Sequence, residues 1–418
     1  MADVIPFRGI LYNTSRVSME DVLAPPYDII TPEYREALYM QSPYNIVRID
    51  FGKEEPADNE AENKYVRARR YLDAWIKEGV FIRSENPSFY LYEMSYTIQD
   101  VRKRLLGFLG LVKLEEFGKG SIYPHECTHS KPKQDRLNLM SSCEANTSPI
   151  FSLYKSSEGR IADILSKISS TKPYMESADI TGDVHRLWQI HDTEQIEIIR
   201  TELGNKAVFI ADGHHRYETA LEFHRETALK NPSPGDPTSD HVLMFLANML
   251  DEGITILPTH RLLKTVPEDM NLLLSEHFTI EPVKNNFDIR ANLSGKKHAF
   301  GFYQQGSDVW HILRYRGGDL SEIHPALREV DVIILHELIL KKIFHTTDIG
   351  YEMDIGSALD KVNGGEFAAA FFLNPTCVDD VEKAALSSVR MPPKSTYFYP
   401  KLLTGLVINK WQIDSDRS

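Results

Sequence analysis

A short apolar run that leads through a polar turn into a helical pattern is the sequence feature that most constrains the fold. The run is Ala207-Val208-Phe209-Ile210, and the polar turn that follows spans 212–216. An apolar segment bounded by a turn signal predicts a buried strand, and the recurrence of apolar residues to about position 229 predicts a helix. A strand that turns directly into a helix requires sheet and helix to share a core, so we expect an α/β fold.

The same two periodicities alternate along the rest of the chain, which supports a mixed α/β or α+β class. Helices are predicted at 58–78, 157–170, 214–229, 270–278, 332–344 and 378–390, and strands at 88–98, 104–117, 150–154, 298–303, 309–315 and 367–373. The apolar stretch 242–250 fits a strand or a buried helix equally well. Because 418 residues allow two or three domains, we expect three regions, namely 1–118, 119–265 and 266–418.

Charge and cysteine content restrict the functional class. The chain has 60 acidic and 47 basic residues and a net charge of −13, which disfavours broad nucleic-acid binding. Three cysteines, Cys127, Cys143 and Cys377, lie far apart and form no Cys-x-x-Cys pair, as is typical of a reducing compartment. There is no signal-peptide pattern and no apolar run near the roughly 20 residues that span a bilayer. We therefore expect a soluble cytoplasmic protein without nucleic-acid or membrane partners, and a homo-oligomer stays open.

The polar turn carries the clearest chemical signal, and it consists of Asp212, Gly213, His214, His215 and Arg216. A helix N-terminus presents backbone N–H groups and a partial positive charge, which together favour phosphate. Gly213 allows close approach to the backbone, Arg216 adds a bidentate donor, and the histidines add donors or a proton-transfer group. Asp212 is suited to a metal ion or a hydroxyl. The structural alternative, an N-cap followed by a turn glycine, leaves His-His-Arg unexplained, so we predict an anion site.

A second segment, His125-Glu126-Cys127-Thr128-His129, matches the His-Glu-x-x-His pattern of zinc peptidases. That pattern needs a helix, and Pro132 would break it almost at once. No third ligand follows at a familiar spacing, so zinc hydrolysis is disfavoured. We instead predict a polar loop in which Glu126 is a candidate general base and Lys131, Lys133 and Arg136 are candidate phosphate contacts. A solvated charged loop is the alternative.

A third cluster of basic and hydroxyl residues lies at 391–401. Its Lys394-Ser395-Thr396 run ends like a phosphate-binding P-loop, but the glycines of that motif are missing. Two interpretations stay open, an additional part of the anion site or a packed C-terminal loop with aromatic anchors.

Together these segments resemble the DUF1015 family over nearly the whole chain. The segments that carry the resemblance are Ala24-Pro25-Pro26-Tyr27-Asp28, His125-Glu126-x-Thr128 with Asp135-Arg136, Asn146-x-Ser148-Pro149-Ile150-Phe151, Ala211 to Tyr217 with Ala220, Leu257-Pro258-Thr259-His260-Arg261 and Met391 to Thr396. The Asp-Gly-His-His-Arg segment is in turn similar to that of free-serine kinases with the ParB/sulfiredoxin-like fold.

The resemblance implies a ParB/sulfiredoxin-like core with additional N- and C-terminal α/β regions. It also implies a kinase that transfers phosphate from ATP or ADP to a small-molecule hydroxyl, with free L-serine as acceptor and Mg²⁺ as cofactor. By this correspondence Glu126, Asp212 and His215 are catalytic, with Asp212 also the magnesium ligand. Phosphate or nucleotide would bind to Gly213, His214, His215, Arg216, Lys131, Arg136, Lys394, Ser395 and Thr396. The alternative function is a nucleotide-binding regulator without turnover.

Overall fold

The chain forms two compact units that are not continuous in sequence. The computed structural model describes residues 2–127, 130–230, 240–284 and 288–411, without the side chains of 130–132 and 230. Unit 1 comprises Met1–Pro124, Thr128–Ile254 and Pro400–Ser418, and unit 2 comprises His125–Cys127 and Thr255–Tyr399.

Strands and helices occur throughout both units, which confirms the mixed α/β class. The strands are β1 (Val4–Ile5), β2 (Ile10–Tyr12), β3 (Phe81–Arg83), β4 (Phe89–Ile98), β5 (Val101–Lys113), β6 (Ile122–Tyr123), β7 (Ala145–Asn146), β8 (Ile150–Tyr154), β9 (Met175–Ala178), β10 (Val184–Ile190), β11 (Val208–Asp212), β12 (His241–Asn248), β13 (Thr255–Leu257), β14 (His260–Leu263), β15 (Phe278–Lys284), β16 (Ala299–Gln304), β17 (Val309–Tyr315), β18 (Ile349–Glu352), β19 (Ala369–Leu373), β20 (Tyr397–Tyr399) and β21 (Asn409–Lys410). The helices are α1 (Met19–Val22), α2 (Pro32–Gln41), α3 (Val47–Asp50), α4 (Lys64–Lys77), α5 (Ser130–Cys143), α6 (Arg160–Ser169), α7 (Thr193–Leu203), α8 (His214–Lys230), α9 (Met270–Ser275), α10 (Ile289–Leu293), α11 (Asp331–Ile333), α12 (Ile355–Asn363) and α13 (Val378–Leu386), with a 3₁₀ turn at Tyr27–Ile29 and a π-helix at Ile334–Ile343.

The core of unit 1 is a mixed sheet with the strand order β6-β11-β8-β12-β5-β4-β10-β9, and β1 pairs with β5 at one end. Strand β12 runs parallel to β8 and antiparallel to β5, and all but the last of its eight residues are buried. A strand covered on both faces has a continuous apolar sequence without alternation. This explains why the pattern of 242–250 fitted a strand or a helix equally well, and the strand interpretation is the right one.

The sheet also joins two of the predicted regions. Strand β5 lies within 1–118 and β12 lies within 119–265, yet they pair from His241 with Lys113 to Ala247 with Gly107. The last part of the chain, Pro400–Ser418, belongs to unit 1 as well. The compact units therefore differ from the three predicted regions, because local composition does not reveal pairing between distant strands.

The polar loop predicted to contain Glu126, Lys131, Lys133 and Arg136 is wrong from residue 130 onward, where helix α5 begins. Pro132 lies in the first turn of this helix, where the missing N–H has no intrahelical acceptor to lose. Proline therefore marks the start of the helix here and does not break it. Helix α5 packs beside α8 and α4 in unit 1.

Unit 2 has a six-stranded sheet in its described part, with the order β15-β17-β16-β19-β14-β18. One face packs on a core that contains the π-helix, and the opposite face packs on α10 and α12. Strand β14 is buried along its whole length. Within the described ranges, every helix is too short or too polar to cross a lipid bilayer.

Candidate anion-binding site

The predicted strand-turn-helix lies in unit 1 and consists of β11, Gly213 and α8. A register shift between Ile210 and Asp212, opposite β8, bends the end of the strand. Gly213 has φ +95°, and the Tyr217 N–H donates to its carbonyl at 3.0 Å as the first bond of the helix. The backbone N–H groups of the first turn lie before the first intrahelical hydrogen bond of α8, and N–H groups in this position favour anion binding. His214 is buried and His215 is half-buried in this turn.

Two cations hold the carboxylate of Asp212. Arg216 Nη2 lies 3.1 Å from Oδ2, and Lys401 Nζ lies 3.4 Å from Oδ1. The Lys401 side chain is only 10% exposed, so its charge is held in place more firmly than that of a surface lysine. These three groups sum to one positive charge beside the N-terminus of α8. Lys401 was not among the residues predicted for this site, although it ends the basic cluster at 391–401.

Arg216 is buried, and its guanidinium is already engaged. Nη1 donates to the carbonyl of Pro149, in addition to the ion pair with Asp212. The same guanidinium lies over Gly213, since a Cβ at that position would come within 2.9 Å of Arg216 Nε. Glycine is therefore needed here for the positive φ and for the packing of Arg216, and close approach of a ligand to the Gly213 backbone stays a prediction.

Arg136 lies in a second charged network in unit 1. Its Nε donates to Asp135 Oδ2 at 2.9 Å, its Nη1 lies 3.4 Å from Asp50 Oδ2, and its guanidinium stacks over the Tyr27 ring at 4.1 Å. Asp50 also accepts a hydrogen bond from Thr147 Oγ1 at 2.7 Å. The carboxylates of Asp135 and Asp50 thus both contact the Arg136 guanidinium, and the network connects segments that are distant in sequence. A direct contact between Arg136 and phosphate stays a prediction.

Burial and nearby charges perturb two ionisable groups of this network. Burial raises the pKa of Tyr27 to about 12, against the opposing effect of Arg136. For Asp135, burial favours the neutral acid, but Arg136 and Lys64 outweigh it and lower the pKa to about 2.

A cavity of about 30 Å³ lies between Arg136, Thr147, Ser148 and Arg216, which is room for about one water molecule. The two buried arginines therefore line the same small cavity, together with apolar side chains such as Leu139 and Ile150.

Two further predicted segments meet in unit 2. Glu126 forms a parallel bridge with Met391, and Arg390 Nη1 donates to the Glu126 carbonyl at 3.1 Å. His125 Nε2 and Thr396 Oγ1 share a hydrogen bond of 2.9 Å. The His-Glu segment and the Lys-Ser-Thr segment are therefore neighbours, which the sequence could not establish.

The hydroxyls and lysines of these segments have different surroundings. Ser395 Oγ donates to the Pro392 carbonyl at 2.7 Å, and Lys394 has φ +60°. In unit 1, Lys133 Nζ pairs with Glu218 Oε2 at 2.8 Å. The side chain of Lys131 lies outside the described residues, as do Thr128 and His129 of the zinc-like pattern. Among the side chains that are described, no three His, Cys, Asp or Glu gather in a way suited to a metal ion.

The magnesium prediction for Asp212 meets an obstacle in this geometry. Both carboxylate oxygens face cations, at 3.1 and 3.4 Å, so a metal ion would have to displace Arg216 and Lys401. The arrangement therefore does not fit a resident magnesium ion on Asp212.

The fold and the site together define a class, a mixed α/β protein whose larger unit carries a cation-lined strand-turn-helix. More specifically, the chain belongs to the DUF1015 family, described as a protein of unknown function, whose model matches residues 4–333. The comparison with curated proteins gave no significant match.

Similar solved structures include three proteins. A conserved hypothetical protein from Pyrococcus furiosus is 14% identical, with 66% of this chain and 87% of that chain covered and a TM-score of 0.33. A free serine kinase in complex with AMP is 12% identical, with 66% and 83% covered and a TM-score of 0.35. SbnI with a C-terminal truncation, from Staphylococcus aureus, is 13% identical, with 71% and 85% covered and a TM-score of 0.36. These likenesses are too distant to assign a role to any residue of this chain.

Proposed function

We propose that this protein is a small-molecule kinase that transfers phosphate from ATP or ADP to the hydroxyl of free L-serine. The observation that carries the proposal is the cationic N-terminus of α8, where Arg216 and Lys401 both face Asp212. Phosphoryl transfer depends mainly on positioning and on neutralising the charge of the phosphates. A helix N-terminus with two ordered cations supplies both.

Nucleotide phosphates are proposed to bind at the backbone of Gly213 to His215. Lys401 is the cation best suited to a phosphate, because an ammonium group 3.4 Å from its carboxylate partner forms a looser pair than the arginine. Arg216, fixed by the Pro149 carbonyl and by Asp212, would hold the carboxylate in place. Asp212 would then orient both cations while the phosphate is absent.

The proposed chemistry is a direct displacement. The serine Oγ attacks the terminal phosphorus, the bond from that phosphorus to the bridging oxygen breaks, and the nucleotide leaves one phosphate shorter. The hydroxyl proton passes to a base, for which Glu126 is our candidate. Its backbone is fixed by the bridge to Met391 and by the bond from Arg390, and an ordered backbone is what a general base needs.

The test is the formation of phosphoserine from free serine, followed by mass spectrometry with ATP or ADP and magnesium in the buffer. We expect product with the unaltered protein, and loss of product with Glu126→Gln and with Asp212→Ala. Glu158→Gln is the matched control, because that carboxylate is exposed and pairs with Lys206 and Arg160. Product no greater than that of Asp212→Ala would refute the kinase. Nucleotide binding by calorimetry without any product would favour the regulator.

A further inference from the structure

Arg261 is fully buried and has no role in the proposed function so described. It lies on β14 in unit 2 with 0% exposure. Nη1 donates to the Thr259 carbonyl and Nη2 to the Lys394 carbonyl at 3.0 Å, whereas Nε is buried without a hydrogen-bond partner. Both of its acceptors are neutral carbonyls, and a buried charge is costly unless an opposite charge compensates it.

A compensating charge is missing from direct contact. Among the residues that the structure describes, no carboxylate oxygen lies within the 4.0 Å that defines an ion pair with Arg261. Burial lowers the pKa of Arg261 to about 10, and Tyr351 and Glu126 oppose that effect. The side chain is therefore still charged at neutral pH, and the carboxylate whose field reaches it belongs to the candidate base.

The surroundings of Arg261 restrict which anion it could bind. The Tyr351 ring lies 4.9 Å from the guanidinium. Burial, together with Lys341 and Arg261, lowers the pKa of His336 to about 4, so this neighbour is neutral, and its Nδ1 is also buried without a partner. One guanidinium compensates one negative charge. A phosphate dianion would carry a second negative charge into the field of Glu126, so a monoanionic carboxylate fits better.

We infer that Arg261 binds the carboxylate of the acceptor amino acid in unit 2, in the electrostatic neighbourhood of Glu126. The choice of an amino acid rests on the proposed function, but the carboxylate site itself rests on the buried guanidinium. A carboxylate can accept two parallel hydrogen bonds from one edge of a guanidinium. The edge formed by Nε, which has no partner, and Nη2 is the one available in Arg261. The carboxylate would replace the Lys394 carbonyl on Nη2, so binding requires the loop at 392–396 to shift.

The first test varies the ligand and leaves the protein unaltered. Binding of L-serine, ethanolamine and inorganic phosphate is measured by calorimetry or by ligand-observed NMR, without nucleotide. A charge-assisted contact implies that serine binds about ten- to a hundred-fold more tightly than ethanolamine, which lacks the carboxylate. Equal binding of serine and ethanolamine, or preferential binding of phosphate, would overturn the inference.

The second test varies the protein. Arg261→Met is expected to remove the preference for serine over ethanolamine, and Arg261→Lys to keep part of it because the charge remains. Arg290→Met is the control, since that arginine is 55% exposed and pairs with Asp354 in the same unit. If Arg261→Met does not fold, Arg261→Lys and the ligand series decide the question. A full preference for serine in a folded Arg261→Met protein would overturn the inference.

These outcomes separate the carboxylate site from the kinase. Carboxylate-dependent serine binding without phosphoserine would refute the kinase and leave the site intact. Phosphoserine formation with equal use of ethanolamine would support a kinase and refute the site.

Discussion

Substitution of Gly213 by alanine tests whether Arg216 or a ligand needs the space at this turn. An L-residue in the left-handed region costs about 1–2 kcal/mol, and Gly213 has φ +95°. The new Cβ would also lie 2.9 Å from Arg216 Nε, so the guanidinium must leave Pro149 and Asp212. Loss of a hydrogen bond to a charged group costs about 1.5–3 kcal/mol. We therefore expect Gly213→Ala to lower the free energy of unfolding by about 2.5–5 kcal/mol in total.

Gly118→Ala is the matched control for this prediction. Gly118 also lies in unit 1 and has φ +78°, but nothing lies within 4 Å of its potential Cβ. That variant should lose only the backbone contribution of about 1–2 kcal/mol. Thermal unfolding of both variants measures the difference, at about 2–4 °C per kcal/mol for a unit of this size.

A double-mutant cycle isolates the side-chain contribution. In an Arg216→Ala background, Gly213→Ala should cost no more than the control, because the guanidinium that it displaces is no longer present. Equal destabilisation by Gly213→Ala and Gly118→Ala, or an unchanged cost in the Arg216→Ala background, would show that the contact with Arg216 contributes nothing to the stability of the turn.

Two further predictions concern charged groups of unit 1. Lys401→Met should weaken ADP binding about ten-fold or more in calorimetry. Lys410 is equally buried, at 10% exposure, but it is bonded to a backbone carbonyl elsewhere, so Lys410→Met should change ADP binding little. Equal weakening of ADP binding by the two substitutions would argue against a phosphate contact at Lys401. Because Arg136 and Lys64 outweigh burial and lower the Asp135 pKa to about 2, the stability that this carboxylate contributes is present above its ordinary pKa of 3.8 and lost as pH falls towards 2. Between pH 4 and 2, the free energy of unfolding of the unaltered protein should therefore fall by roughly 2 kcal/mol more than that of Asp135→Asn. Parallel curves of unfolding free energy against pH for the two proteins would contradict this.

Local patterns predicted the secondary elements on which the site is built. A strand at 207–210 and a helix from residue 214 were both predicted and correspond to β11 and α8, because an apolar run, a glycine turn and helical spacing are properties of consecutive residues. The strands at 88–98 and 104–117 were also predicted and correspond to β4 and β5, which pair through a turn at Gln99 and Asp100 with positive φ at both residues, as a type I′ hairpin turn requires.

Sequence spacing could not predict which distant segments meet. Lys401 follows Asp212 by 189 positions, and their ion pair depends on the return of the C-terminal segment to unit 1. The contact between His125 and Thr396 in unit 2 is of the same kind. Burial is a second property that sequence conceals, since Arg261 on β14 cannot be distinguished from an exposed arginine by its neighbours alone.

The two cationic groups differ in how the protein compensates them, and this difference bears on what each can bind. In unit 1 the Lys401 and Arg216 charges rest on Asp212, so an incoming phosphate competes with a carboxylate and must bring more negative charge than that carboxylate has. In unit 2 the Arg261 guanidinium rests on neutral carbonyls, so even a singly charged ligand gains an uncompensated partner. A polyanionic nucleotide therefore suits Lys401 and Arg216, and a monoanionic acceptor suits Arg261. In each case the ligand supplies the negative charge that the cations still lack.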